Sequence, residues 1–200
     1  HKDPAFVLMA AEKISEFRNI PQVKQEGLYL LLDLYNKEED SFPRWRIMAS
    51  IFTIAPETIL TAEVDGQIRQ VPAADLMISS LFDDEPNIVA QAIDKIKEIR
   101  YQQALPYLKE LLYMSADSFV WAKALSAIEE ISPVEFKAYL FELATNMDWK
   151  DRRFRFALDI LLDRFGPPLK KPIDEIHPLH LQILIKNKPE HLPPFISLIY

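Results

Sequence analysis

The sequence contains no cysteine and only three glycines among its 200 residues. Without cysteine there is no disulfide framework and no thiolate zinc site. Glycine supplies the positive-φ positions of tight hairpins, so three glycines argue against a fold rich in β-turns. The P-loop, GxGxxG and GxSxG patterns are also absent from the sequence. We therefore expect no cofactor, no metal and no enzymatic activity.

Positive charge is scarce as well. Lys and Arg number 23 against 30 Asp and Glu, which gives a net charge of −7. Residues 1–100 hold 11 Lys/Arg and 17 Asp/Glu and account for −6 of that charge. Binding to a phosphate backbone depends on Lys and Arg, so an acidic chain is a poor general binder of nucleic acid. We expect the partner to be another protein or another domain of the same chain.

Long apolar runs are missing too. No eighteen consecutive apolar residues occur, and we expect no membrane span in this segment. A chain that is 49% hydrophobic and 26% charged has a globular composition, and the lack of cysteine fits a reducing compartment, so we expect a cytoplasmic protein. The chain begins with His1-Lys2 instead of Met and ends on the apolar stretch 195–200. We expect it to be an excerpt from a longer protein.

Fifteen prolines are compatible with helices, because most of them stand where a helix would begin and proline is tolerated at that position. Apolar spacing predicts helices over 4–19, 21–36, 43–55, 72–83, 86–100, 104–114, 117–131, 133–146, 150–165 and 178–186, with a last one from Pro189. The Asp65-Gly66 pair predicts a loop or small hairpin over residues 61–71.

The apolar stripe of residues 86–100 recurs further along the chain. Adding 32 to the number of each member gives a second set that is again all apolar; the two sets are Ile88, Val89, Ala92, Ile93, Ile96 and Ile99, and then Val120, Trp121, Ala124, Leu125, Ile128 and Ile131. The following helix repeats with the same offset, and a third, partial copy appears at offset 33 over 154–161. One such helical pair cannot bury its stripe alone, so the copies must stack on each other.

A helical pair with this repeat, and with Ala92-Ile93, Ala124-Leu125 and Ala157-Leu158 in its first helix, resembles the HEAT-repeat family. The resemblance covers residues 84–165 best. It implies an all-α fold, a right-handed α-α superhelix of about five helical pairs, as a single domain over residues 1–200. It also implies a non-catalytic scaffold or regulatory module that presents a curved surface to a protein partner.

The candidate binding residues lie in one unusual stretch and are Trp149, Arg152, Arg153 and Arg155. An Arg pair beside a Trp can bind a carboxylate or phosphate while the ring stacks. The alternative is that these arginines form ion pairs with acidic residues of the neighbouring repeat.

Two further functions stay open. Some HEAT-like proteins are DNA glycosylases of the alkylpurine class, which use Trp, Asp and Arg on a concave surface, and three tryptophans stand near basic residues here. Of these, Trp121 is equivalent to the stripe position Val89, which predicts a core residue. The third function is a soluble accessory domain of a larger enzyme or transporter. His177 and His180 have the residue type of a metal site, but Pro178 interrupts the helix that would align them.

Overall fold

The computed structural model describes residues 4–146, together with residues 151–153, 157 and 160. This part of the chain is mostly helical, as expected. Its elements in order are α1 (Pro4–Glu16), α2 (Pro21–Lys37), α3 (Ser41–Ile54), β1 (Ile59–Val64), β2 (Gln67–Pro72), α4 (Ala73–Ser79), α5 (Pro86–Glu98), α6 (Leu105–Met114), α7 (Ser118–Ile131) and α8 (Pro133–Asn146). Short 3-10 turns occupy Ser80–Phe82 and Gln102–Ala104.

The chain divides into two compact units, residues 1–131 and 132–200. Helices α1 to α7 and the hairpin belong to the first unit, and α8 belongs to the second. The single domain expected from the sequence stays a prediction.

The helix boundaries follow the sequence signals closely. Helices α1, α2, α5 and α8 begin at a proline, as the predicted helices do. Helix α3 begins two residues before Pro43, which the first turn tolerates because its N–H groups lack intrahelical partners in any case. Helix α5 ends at Glu98 because Arg100 adopts a left-handed φ of 52°, and the Tyr101 N–H then donates to the Ile96 carbonyl at 3.0 Å.

The odd-numbered helices of the first unit pack in sequence: α1 contacts α3, α3 contacts α5, and α5 contacts α7. Helix α2 packs against α1 and α3, α4 against α3, and α6 against α7. All eight residues from Ile47 to Ile54 in α3 are buried, because other elements surround this part of the helix. Its polar members are satisfied within the helix: the Thr53 hydroxyl donates to the Ala49 carbonyl at 2.9 Å.

The two predicted apolar stripes are buried. All six stripe residues of α7 are buried, and four of the six in the stripe of residues 86–100 are buried while Ile88 and Ile99 are half-buried. Ala92 and Ala124 are fully buried on two helices that contact each other. Of the third copy, Ala157 is buried; the rest of that stripe lies outside the described residues.

The predicted hairpin is present and longer than expected. Strands β1 and β2 pair antiparallel from Ile59 opposite Pro72 to Val64 opposite Gln67. Asp65 and Gly66 both have positive φ, 52° and 71°, as a type I′ turn requires.

Other expectations fall on the C-terminal part of the chain. Residues 152, 153, 157 and 160 are helical, in agreement with the predicted helix 150–165. The predicted helices 178–186 and from Pro189, and His177 and His180, lie outside the described residues.

Candidate functional site

Two of the four predicted binding residues, Arg152 and Arg153, are among the described residues; Trp149 and Arg155 lie outside them. Arg152 is exposed. Arg153 forms a two-pronged contact with Asp151, from Nε to Oδ1 at 3.0 Å and from Nη2 to Oδ2 at 2.6 Å. Its hydrogen bonds hold the pKa of the Asp151 carboxyl below its usual value. Arg153 thus has a carboxylate partner two residues away in its own chain segment.

Ion pairs connect the odd-numbered helices. Arg46 of α3 pairs with Glu12 of α1, and Lys123 of α7 pairs with Asp94 of α5 at 2.6 Å. Each of these ion pairs joins one odd-numbered helix to the next odd-numbered helix. The sequence analysis considered this kind of pairing for the arginines at 152–155, where it stays a prediction.

Two more ion pairs involve a residue that lies just beyond the end of a helix. Arg18, just beyond α1, reaches Glu98 of α5 at 2.8 Å, and Arg100 pairs with Glu130 of α7. Four ion pairs therefore connect these helices, or residues just beyond their ends, to another odd-numbered helix. A shallow cavity of about 140 Å³ between α1, α3 and α5 is lined by both signs of charge, including Glu12, Arg46, Asp94 and Lys95.

A second cavity, about 200 Å³, lies where the 3-10 turn 80–82, the start of α5, the end of α6 and the start of α7 meet. We call it the α5–α7 groove. Its buried lining is apolar and consists of Leu81, Val89, Leu111 and Val120.

The walls of the α5–α7 groove are also apolar but reach solvent. Met114 at the end of α6 is 65% exposed, and Phe82 is 39% exposed. Single exposed apolar side chains are common, but a pair at the mouth of an apolar cavity indicates a surface that can gain from being covered.

Carboxylates stand at the rim of the α5–α7 groove for a local reason. Asp117 precedes α7, and its Oδ1 accepts the N–H groups of Phe119 at 2.8 Å and Val120 at 3.0 Å. Asp83 lies before α5, and its Oδ1 accepts the Glu85 N–H at 2.8 Å. The two Asp117 bonds satisfy free N–H groups at the start of α7, whereas the Asp83 bond closes a turn just before α5. Both arrangements fix the carboxylate in place.

The carboxylates at this rim differ from Glu12, Asp94, Glu98 and Glu130 of the odd-numbered helices, which form ion pairs. Asp83, Asp84, Glu85 and Asp117 are all exposed, and none of them forms an ion pair with another described residue. No Lys or Arg lines the cavity in the described part of the chain. The α5–α7 groove therefore combines an apolar interior with uncompensated negative charge.

The sequence analysis did not identify this groove. Asp83, Asp84 and Glu85 form an acidic run before Pro86, and Asp117 is the repeat equivalent of Glu85, but carboxylates at helix starts are ordinary caps. The usable signal would have been Phe82 and Met114, two apolar residues outside the repeated stripes. The cavity itself arises only when segments distant in sequence are stacked, and their spacing along the chain does not give that geometry.

Comparison of the chain with protein-family models gave no match, and a search of curated proteins found none that matches it. Within residues 4–146 and the few described positions beyond, none of the helices has the length and hydropathy needed to cross a bilayer. The same residues contain no group of three or more side chains of the metal-binding types. The likeness to HEAT repeats stays a resemblance, carried by the residues of the repeated stripe.

Proposed function

We propose that this chain is a non-catalytic scaffold that binds another protein through the α5–α7 groove. The observation that carries the proposal is an apolar cavity with exposed Phe82 and Met114 at its mouth. The carboxylates at its rim form no ion pair with another described residue. Aromatic residues and Met are enriched in protein interfaces, and Met can adapt its shape to different partners.

The arrangement of the helices supports this reading. Each odd-numbered helix of the first unit contacts the next, and the apolar stripe of α5 recurs in α7. We propose that the pairs continue as a HEAT-like right-handed superhelix of about five pairs, an architecture that offers extended binding surfaces. The α5–α7 groove would then lie between two successive repeats, where one repeat alone could not form it.

The other functions considered from the sequence remain predictions. The glycosylase-like alternative depends on Trp149 and Arg155, which lie outside the described residues, and no described residue specifically favours it. The partner in our proposal can equally be another domain of the same chain, as the accessory-domain alternative holds. A cytoplasmic location also stays a prediction.

The test is site-specific photo-crosslinking in cells, with a photoreactive residue in place of Met114. The control position is Tyr29 on α2, which is 68% exposed and does not line the α5–α7 groove. We expect a defined protein to be cross-linked from position 114 and not from position 29. That product should be lost when Phe82→Ser is added in a variant whose melting temperature is unchanged.

The proposal fails if positions 114 and 29 give the same set of products, or if Phe82→Ser leaves the product of position 114 intact. Both results would mean that contact at Met114 reflects general exposure and not a binding site.

A further inference from the structure

We infer that the α5–α7 groove takes a segment of a partner protein in which one large apolar side chain is flanked by Lys or Arg. This inference rests on the proposed function and specifies the chemistry of the partner. It follows from three properties of the groove: its size, its charge and the fixed positions of its carboxylates.

The size of the cavity suits a single side chain. About 200 Å³ lies below the range of roughly 300–1,000 Å³ that small-molecule and cofactor sites occupy. Its buried lining of Leu81, Val89, Leu111 and Val120 is apolar, and the half-buried Ser115 is the one hydroxyl among the described residues that line the cavity. One Leu, Met or Phe of a peptide can therefore fill it, with Phe82 and Met114 covering the remainder of that side chain.

The charge of the rim determines the neighbours of that side chain. The exposed carboxylates of Asp83 and Asp117 line the cavity, and Asp84 and Glu85 directly follow Asp83 in the sequence. This negative charge repels an acidic segment and attracts a basic one. On the odd-numbered helices, Asp94 forms an ion pair with Lys123, and Glu98 forms one with Arg18. The rim carboxylates form no ion pair with another described residue.

The rim carboxylates are already positioned to accept hydrogen bonds from a partner. In Asp83 and Asp117, Oδ1 is held by backbone N–H groups, while Oδ2 accepts no hydrogen bond from a described residue. A Lys or Arg of the partner can donate to Oδ2 without any loss of these bonds to the backbone. Charge-assisted bonds of this kind are stronger than neutral ones, and prior fixing of the acceptor reduces the entropy lost on binding.

The experiment measures fluorescence anisotropy of labelled peptides with the full chain. The probe peptide has a central Phe between two pairs of Lys and Arg. One comparison peptide carries Glu at the four basic positions, and another carries Ala in place of Phe. We expect the probe to bind more tightly than both, and the preference over the Glu peptide to shrink between about 0.05 and 0.5 M salt as the charges are screened.

The matched variants separate charge from capping. Asp83→Asn and Asp117→Asn keep a side-chain oxygen that can accept the same backbone N–H groups but remove the charge, since Asn replaces Asp about equally well in turns and at helix starts. The double variant should weaken binding of the probe roughly three- to tenfold, as expected for two exposed ion pairs. Asp65→Asn at the exposed hairpin turn is the control and should leave binding unchanged.

The possible results of these experiments separate the basic-segment inference from the proposed function. Equal binding of the Lys/Arg and Glu peptides, with loss in Phe82→Ser, would overturn the basic-segment inference and leave the groove as a binding site. No binding of the probe even at about 1 mM, the weak end of measurable affinities, would overturn it as well. The proposed function itself falls only if the cross-linking from position 114 also fails.

Discussion

Gly27 lies in the interior of α2, where glycine is unfavourable, and its replacement tests the packing of the first two helices. An alanine in a helix interior is favoured over glycine by about 1 kcal/mol. A Cβ at position 27, however, would overlap Cγ2 of Ile14 on α1, far inside the roughly 3.5–4.0 Å optimum for two carbon atoms. The two effects on the free energy of unfolding therefore have opposite signs.

We expect the overlap to win, so that Gly27→Ala destabilises the protein. The clashing methyl is attached directly to Cβ of Ile14, and that Cβ would itself lie 3.7 Å from the new atom, so only a change of χ1 could move the methyl away. Ile in a helix strongly prefers one χ1 rotamer. Overpacking of this kind costs about 1–3 kcal/mol, which leaves a net loss of roughly 0–2 kcal/mol after the gain in helix propensity.

Urea unfolding followed by circular dichroism measures this loss as a lower midpoint concentration. With a slope of about 2 kcal/mol per molar urea, a loss of 1 kcal/mol moves the midpoint by about 0.5 M. The decisive comparison repeats Gly27→Ala in an Ile14→Ala background, where the methyl is gone and the substitution should become stabilising by up to about 1 kcal/mol. A higher midpoint for Gly27→Ala alone would refute the close contact between α1 and α2.

Three other substitutions and titrations probe the rest of the described structure. Ala124→Leu should cost about 1–3 kcal/mol because Ala124 is fully buried on α7, which contacts α5, and a lower thermal midpoint checks this. Trp121→Phe should cost roughly 1–3 kcal/mol in denaturant unfolding, because it leaves the Leu112 carbonyl without the indole N–H that now lies 3.0 Å away. Burial, together with its hydrogen bond to Glu135, raises the pKa of Tyr139 from 10.0 to about 12. The unfolded chain then ionises first, so stability should fall between about pH 10 and 12; a spectroscopic titration should show the pKa of Tyr139 return toward 10 in Glu135→Gln.

The helices could be predicted because each signal is local. Prolines at helix starts and apolar residues at helical spacing gave boundaries within a few residues, and the Asp65-Gly66 pair gave the hairpin. The repeat offset also predicted that Trp121 is a core residue, which its 3% exposure confirms. Helix α3 shows the limit of this approach: a run of eight buried residues has no polar face, so its surroundings could not be inferred from periodicity.

The surface chemistry could not be predicted because it depends on residues far apart in sequence. The ion pair of Arg18 and Glu98 joins residues 80 positions apart, and the α5–α7 groove needs the turn before α5 beside the start of α7. The predicted basic site had a local signal and stays a prediction; of its residues, Arg153 contacts Asp151 within the same short segment. A cluster of arginines in sequence therefore does not indicate a binding surface until their partners are known.

The hairpin turn has a practical consequence for finding the partner. Asp65 and Gly66 stand at the tip of two exposed strand ends, and the space around the Gly66 Cα is open, with no atom within 4 Å of a Cβ built there. Exposed loop tips of this kind tolerate inserted sequence better than any other part of a fold. An affinity or fluorescent tag inserted between these two residues would allow the protein to be captured or detected with its partner. It would leave the α5–α7 groove unmodified.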